Sequence, residues 1–177
     1  MSIFIVACLG CMLCFILFIL SGLFKHSLLP IKTSKELPKV SVVIAARNEE
    51  ILLPSLIKDL VNQEYPLDKL EVIIVNDRST DATKEILTKA DENYALIKTI
   101  TVDKASESMT PKKHALTLGI ESAGGEIIIL TDADCRVRKL WVSSMVYSVI
   151  NQNCISIGFS EIGLNTNSLF EKYQHID

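Results

Sequence analysis

The chain has 177 residues, with 18 basic and 21 acidic side chains and a net charge of −3. That length suffices for one ordinary domain plus a short appendage. No basic run and no aromatic–basic interleaving is present, which argues against nucleic acid as a partner.

The apolar surplus begins at once. From Ile3 to Leu20 every residue is apolar or Gly, and the first charged side chain is Lys25. A helix needs about 20 apolar residues to cross a bilayer core, so residues 1–24 are expected to form a transmembrane helix. The competing reading is a secretory signal, which wants a positive n-region, a shorter apolar stretch and a small-residue cleavage site. None of these is clear, and the uncleaved span is favoured. Lys25, Lys32, Lys35 and Lys39 follow, against a single Glu36. That excess places the remainder on the cytoplasmic side of the cell membrane as a single-pass protein. Cys8, Cys11 and Cys14 lie within the span, where cysteine acts as a small hydrophobe. Cys135 and Cys154 read as thiols in a reducing compartment.

Residues 25–38 read as a linker with Pro30 and Pro38, and residues 39–177 as the globular part. "VSVVIAA" (40–46) is a continuous β-branched run, as a buried parallel strand requires. "EILLPSLIKDLVNQ" (50–63) carries apolar residues at helical spacing, and Pro54 restricts the helix start to its vicinity. "LEVIIVND" (70–77) is a second strand, and "STDATKEILTKADE" (79–92) a helix opened by polar capping residues. "ALIKTITV" (95–102) reads as a third strand. "PKKHALTLGIESA" (111–123) is a helix with Pro at its first position and Gly124–Gly125 as its stop. "EIIILTDAD" (126–134) is a fourth strand, "KLWVSSMVYSVIN" (139–151) a helix, and "CISIGFS" (154–160) a fifth strand.

Strands alternating with helices predict an α/β fold, a mostly parallel sheet with helices on both faces. Ligands in such sheets sit outside the carboxyl ends of the strands. Those ends carry Arg47-Asn48-Glu49, Asn76-Asp77-Arg78 and Asp132-Ala133-Asp134. The first strand is followed by "ARNEE" rather than G-x-G-x-x-G, and no G-x-x-x-x-G-K-[ST] occurs. A dinucleotide or P-loop site therefore lacks its main support. In extended chain, residues i and i+2 point to one side, so Asp132 and Asp134 can face one point. Two such carboxylates repel unless a cation intervenes, and Mg²⁺ typically uses one or two carboxylates plus substrate phosphates. The plainer reading, a polar loop after a strand, stays open on the spacing alone.

The pieces "VSVVIAARNEE", "EVIIVNDRSTDAT", "KKHALTLGIESAGGEIIILTDAD" and the tryptophan-containing helix after them, over roughly residues 38–160, resemble the family 2 glycosyltransferases. The leading apolar span is similar to the membrane-tethered subgroup. The resemblance implies a GT-A type, Rossmann-like nucleotide-sugar domain and a metal-dependent, inverting transfer from a nucleotide-sugar donor, usually a UDP-sugar. The acceptor would be a glycan or a lipid-linked molecule, the cofactor Mg²⁺ or Mn²⁺, and the setting a lipid bilayer. By the same resemblance, Asp77 would bond the nucleotide base, and the loop containing Ala46, Asn48 and Glu49 would line base and ribose. Lys112 would lie near the diphosphate, Asp132 near ribose and diphosphate, and Asp134 on the metal together with Asp132. Lys113, His114, Arg136 and Arg138 are weaker candidates, and His114 reads as a surface or half-buried residue.

The family's catalytic base, an aspartate in an "ED" motif, and the Q-x-x-R-W of processive members are not visible. Glu161, Glu171 and the final Asp177 lack that context, and the closing stretch "LFEKYQHID" is amphipathic. The expectation is therefore an amino-terminal portion, with the carboxy-terminal half of the domain missing and the base beyond residue 177. Such a piece would hold donor and metal but transfer poorly. The alternative is a non-catalytic, membrane-tethered nucleotide-binding or interaction module. A receiver-like signalling domain is disfavoured: it would want an acidic pair at the end of the first strand, where Arg47-Asn48-Glu49 supplies one acid.

Overall fold

The structure is a computed structural model and describes residues 10–19, 37–152 and 155–158. The chain divides into two units, Met1–Ser34 and Lys35–Asp177. In the first, residues 10–19 are helical. Residues 1–9 and 20–24 of the expected span, and 25–36 of the expected linker, lie outside the described residues. Among the described residues no helix is long and apolar enough to cross a membrane.

Among its described residues the second unit is built on four parallel strands: β1 (Val40–Ala46), β2 (Leu70–Asp77), β3 (Ile97–Val102) and β4 (Ile127–Asp132). Their order is β3-β2-β1-β4. β1 is central because its β-branched run has no polar face to show to water, and Val40 to Ile44 are all buried. β4 runs beside β1 with Val42 opposite Ile129 and Ala45 opposite Asp132. Among the described residues β4 pairs on one side only, and Ile128 and Leu130 are 41% and 50% exposed.

Four helices cover the sheet: α1 (Leu53–Val61), α2 (Thr83–Asn93), α3 (Pro111–Glu121) and α4 (Trp141–Gln152). Alternate strand residues divide between two cores. Val42, Ile44, Val72, Ile74 and Ile129 pack with Leu56 and Leu60 of α1, Leu87 of α2, and Val142 and Val146 of α4. On the other face Val43, Ile73, Val75 and Val102 pack against Ala115 of α3. A Cβ on Gly119 would collide with Val43 Cγ1 and lie 3.1 Å from Val75 Cγ2. The missing side chain is thus what lets α3 lie close to the strands.

The expected elements from 40 to 151 all form, with shifted ends. α1 starts with Pro54 in its first turn, as the ring requires. α2 begins at Thr83 rather than Ser79, because the residues before it are engaged elsewhere. The expected fifth strand does not form over 155–158, which have no regular pairing, and residues 154, 159 and 160 lie outside the described set. Glu161, Glu171 and the closing amphipathic stretch lie outside it as well.

Candidate functional site

The strand order reverses at β1: the chain moves outward through β2 and β3, then returns to place β4 on the other side. In open α/β sheets a ligand crevice forms at such a switch point, beyond the carboxyl ends of the strands. A cavity of about 250 Å³ lies there, lined by Ala45, Ala46, Arg47 and Glu49 after β1, and Asp77 at the end of β2. Pro111 and Lys112 at the start of α3, with Asp132 and Ala133 at the end of β4, complete it. Ala45, Asp77 and Asp132 share the α3 face, since Ala45 is opposite both Val75 and Asp132 and Asp77 is two residues past Val75.

Five residues expected at the site therefore line one cavity: Ala46, Glu49, Asp77, Lys112 and Asp132. Lys112 Nζ lies 2.7 Å from Asp132 Oδ1, with both side chains more than half exposed. Asp77 is buried, and Arg78 embraces it, with Nε 2.7 Å from Oδ1 and Nη2 3.2 Å from Oδ2. Arg78 holds a left-handed φ of 54° to do so, a conformation that costs about 1–2 kcal/mol in a non-glycine residue.

Asn48 does not line the cavity. Its Oδ1 accepts the Thr80 N–H at 2.8 Å, and its own N–H donates to Ser79 Oγ at 3.0 Å. Its φ of 56° is one that Asn tolerates better than most residues. Glu49 N–H donates to Thr83 Oγ1, Glu50 N–H to Asp81, and Ala82 N–H to Glu50. The segment "STDAT" thus spends polar groups on the loop after β1, and α2 starts without a side-chain cap at Ala82. That cross-loop lacing holds Arg47 and Glu49 in place.

The acidic pair is arranged differently from the extended reading. β4 stops at Asp132, and a turn follows, with Cys135 N–H donating to Asp132 O at 3.3 Å. Asp134 is exposed beyond it. The Glu49 carboxyl is raised above its ordinary range by burial first, and then by the negative charge of Asp134, Asp81 and Asp132. Lys112 balances Asp132 alone, and a divalent cation would relieve the remaining like charge. No three His, Cys, Asp or Glu side chains among the described residues could hold a metal by themselves. Were Asp132 and Asp134 to hold Mg²⁺ or Mn²⁺, two carboxylates would leave its other positions to substrate phosphates.

Of the weaker candidates, Lys113 is exposed on α3, and His114 is half-buried. Arg136 is turned away onto Asp59 of α1. Arg47 was placed at this strand end from sequence without a role of its own; Ala45 and Pro111 were not singled out for the site, and only their places at the end of β1 and the start of α3 hint at them. A larger concavity of about 850 Å³ lies at the opposite ends of the strands, between α1, the start of β2 and the start of β3. Its one carboxylate, Glu71, is already engaged by Ser41, Lys98 and Gly124. It gathers no set of groups suited to catalysis.

The sequence profile described as "Glycosyl transferase family 2" matches residues 41–174. "Probable glycosyltransferase YdaM" of Bacillus subtilis is 37% identical over 147 residues, covering 79% of this chain and 35% of that protein. The chain thus spans about a third of the length of that relative. Among solved structures, the mannosyltransferase PcManGT of Pyrobaculum calidifontis, in complex with GDP-Man and Mn²⁺, superposes with a TM-score of 0.61 at 26% identity. It covers 75% of this chain and 39% of that one. S. aureus TarS 1–349 with UDP-GlcNAc gives 0.55 at 25% identity over 65% of this chain and 32% of that one.

Proposed function

Because the chain belongs to glycosyl transferase family 2, we propose that the cavity at the carboxyl edge is a donor site for a nucleoside diphosphate sugar, a UDP-sugar foremost. The observation that carries this is the convergence of Glu49, Asp77, Lys112 and Asp132 from four separate segments on one cavity. Neighbours solved with UDP-GlcNAc and with GDP-Man and Mn²⁺ support the same class of ligand.

In this reading Asp77, buried at the end of β2, would accept a hydrogen bond from the base alongside those it accepts from Arg78. Lys112 stands at the start of α3, which has no side-chain cap. Ammonium and helix terminus together favour a diphosphate. Asp132 and Asp134 would hold Mg²⁺ or Mn²⁺, which when bound supplies Lewis-acid stabilisation of charge on the leaving diphosphate. Lys112 would then exchange its contact with Asp132 for one with phosphate. The reaction in this reading is an inverting transfer to a glycan or lipid-linked acceptor. The base that takes the acceptor proton has no candidate among the described residues. The cavity is assembled wholly from residues 45–133, so binding without turnover, the module reading, uses the same groups. Measured transfer separates the two.

The anchor belongs to this proposal too: residues 1–24 in the cell membrane, the linker 25–38, and residues 39–177 on the cytoplasmic side. The uncharged run from Ile3 to Leu20 and the lysines after it support this. Recovery of the protein in the soluble fraction after alkaline carbonate extraction would count against it.

Calorimetric titration with UDP and Mn²⁺ tests the site. Chelator or Asp134→Ala is expected to weaken binding about tenfold or more. Equal affinity with and without the ion would refute the assigned metal role.

A further inference from the structure

Asp134 stands on a short arch whose two ends are fixed by different means. On one side Ala133 is 3% exposed and belongs to the main core. On the other, Arg136 donates through Nε and Nη2 to both carboxylate oxygens of Asp59, the Nη2 bond being 2.9 Å long. Val137 N–H donates to Asp59 Oδ2 at 3.3 Å, and the Val137 side chain packs against the core. Asp134 itself receives a long contact from the Cys135 thiol at 3.9 Å, too weak to aim a carboxylate.

Asp59 lies on α1, with its side chain 15% exposed, against 66% for Arg136. A bidentate guanidinium pair on a largely covered carboxylate is among the stronger and more directional ion pairs. One turn later Gln63 Nε2 donates to Arg138 O at 2.9 Å, and its Oε1 accepts the Val142 N–H at 3.0 Å. Asp59 of α1 and Gln63 just past its end together hold the segment between the aspartates and α4. The start of α1 is tied to the cavity, because Leu53 N–H donates to Glu49 O at 3.0 Å. One rigid helix thus references both Glu49 and the far foot of the arch.

We propose that Asp59 is a positioning residue: by clamping Arg136 and the Val137 N–H, it sets the direction in which Asp134 meets the divalent cation. The inference rests on the donor-site reading above. Asp59 touches neither cation nor nucleotide and acts through the loop.

The test uses the full chain with UDP and Mn²⁺. Bound Mn²⁺ is counted by electron paramagnetic resonance, UDP affinity without metal by calorimetry, and stability by urea unfolding. Asp59→Asn keeps an acceptor for Val137 but loses the fork. Arg136→Lys, at an exposed position, keeps the charge and removes the second bond. Both are expected to weaken Mn²⁺ binding in the UDP complex about tenfold while metal-free UDP affinity stays within about twofold. The exchange Asp59→Arg with Arg136→Asp is expected to recover part of the loss. Mn²⁺ binding equal to wild type in both single variants overturns the proposal. So does an equal loss of metal-free UDP affinity, which would signify general damage. A wild-type chain that binds UDP but no Mn²⁺ overturns the cation reading itself, and is told apart because the unaltered protein fails.

Discussion

Glu71 offers a direct test of what places β4. Its Oε1 accepts the Ser41 hydroxyl and the Gly124 N–H, both at 2.6 Å, and its Oε2 lies 2.9 Å from Lys98 Nζ. Gly125 N–H donates to Ser41 Oγ at 2.8 Å, so the turn leading into β4 is held to β1 and β2 through this carboxylate. Burial pushes the Glu71 carboxyl up, but the bonds from Ser41, Lys98 and Gly124 outweigh it and hold the group at about 2, against an ordinary 4.5. If fully realised, that separation corresponds to about 3 kcal/mol. Lys98 is 63% exposed and the carboxylate 20%, so solvent screening reduces the expected figure to about 1–2 kcal/mol. The folded-state value is depressed, so this stability is fully present above pH 4.5 and is lost as pH falls towards 2. Urea unfolding of Glu71→Gln, followed by fluorescence of the single tryptophan, Trp141, is the assay. The variant should be less stable by about 1–2 kcal/mol at pH 7, with the gap closing between pH 4.5 and 2. Equal stability at pH 7, or a gap of constant size down to pH 3, would refute the reasoning.

Two further outcomes follow from the packing and the charges. Gly119→Ala drives a methyl into Val43 Cγ1 and is expected to cost about 1–3 kcal/mol in thermal unfolding; an unchanged midpoint would show that α3 does not lie as close as described. The raised Glu49 carboxyl makes its charged form a burden on the fold, so Glu49→Gln should stabilise the protein at pH 7 and lose that advantage below pH 4.5, read from the difference in urea midpoints.

Much of the sheet was legible because its signals are local. A β-branched run such as 40–46 and the apolar spacing of 53, 56, 57 and 60 leave little choice of element. Asp77, Lys112 and Asp132 were legible as a group because strand ends and helix starts of a parallel sheet gather at one edge. What could not be read was who partners whom. Ser79, Thr80 and Asp81 look like a helix cap, yet bond the loop after β1. Asn48, expected from sequence at the site, takes part in the same lacing. Asp59 looks like a solvated helix residue, because its partner Arg136 is 77 positions away. Residues 155–158 read as part of a strand yet show no pairing, because an apolar pattern reports a face and says nothing of whether a neighbouring strand is there to receive it.

The cavity at the switch point draws its walls from chain segments that lie far apart in sequence, between positions 45 and 133. A molecule seated there cannot stay bound once any of those segments unravels, so occupancy and unfolding are thermodynamically linked. At a concentration a hundredfold above its dissociation constant, a ligand raises the unfolding free energy by about 2.7 kcal/mol. Melting curves recorded across a panel of candidate compounds would therefore rank them by affinity before any enzymatic assay is available.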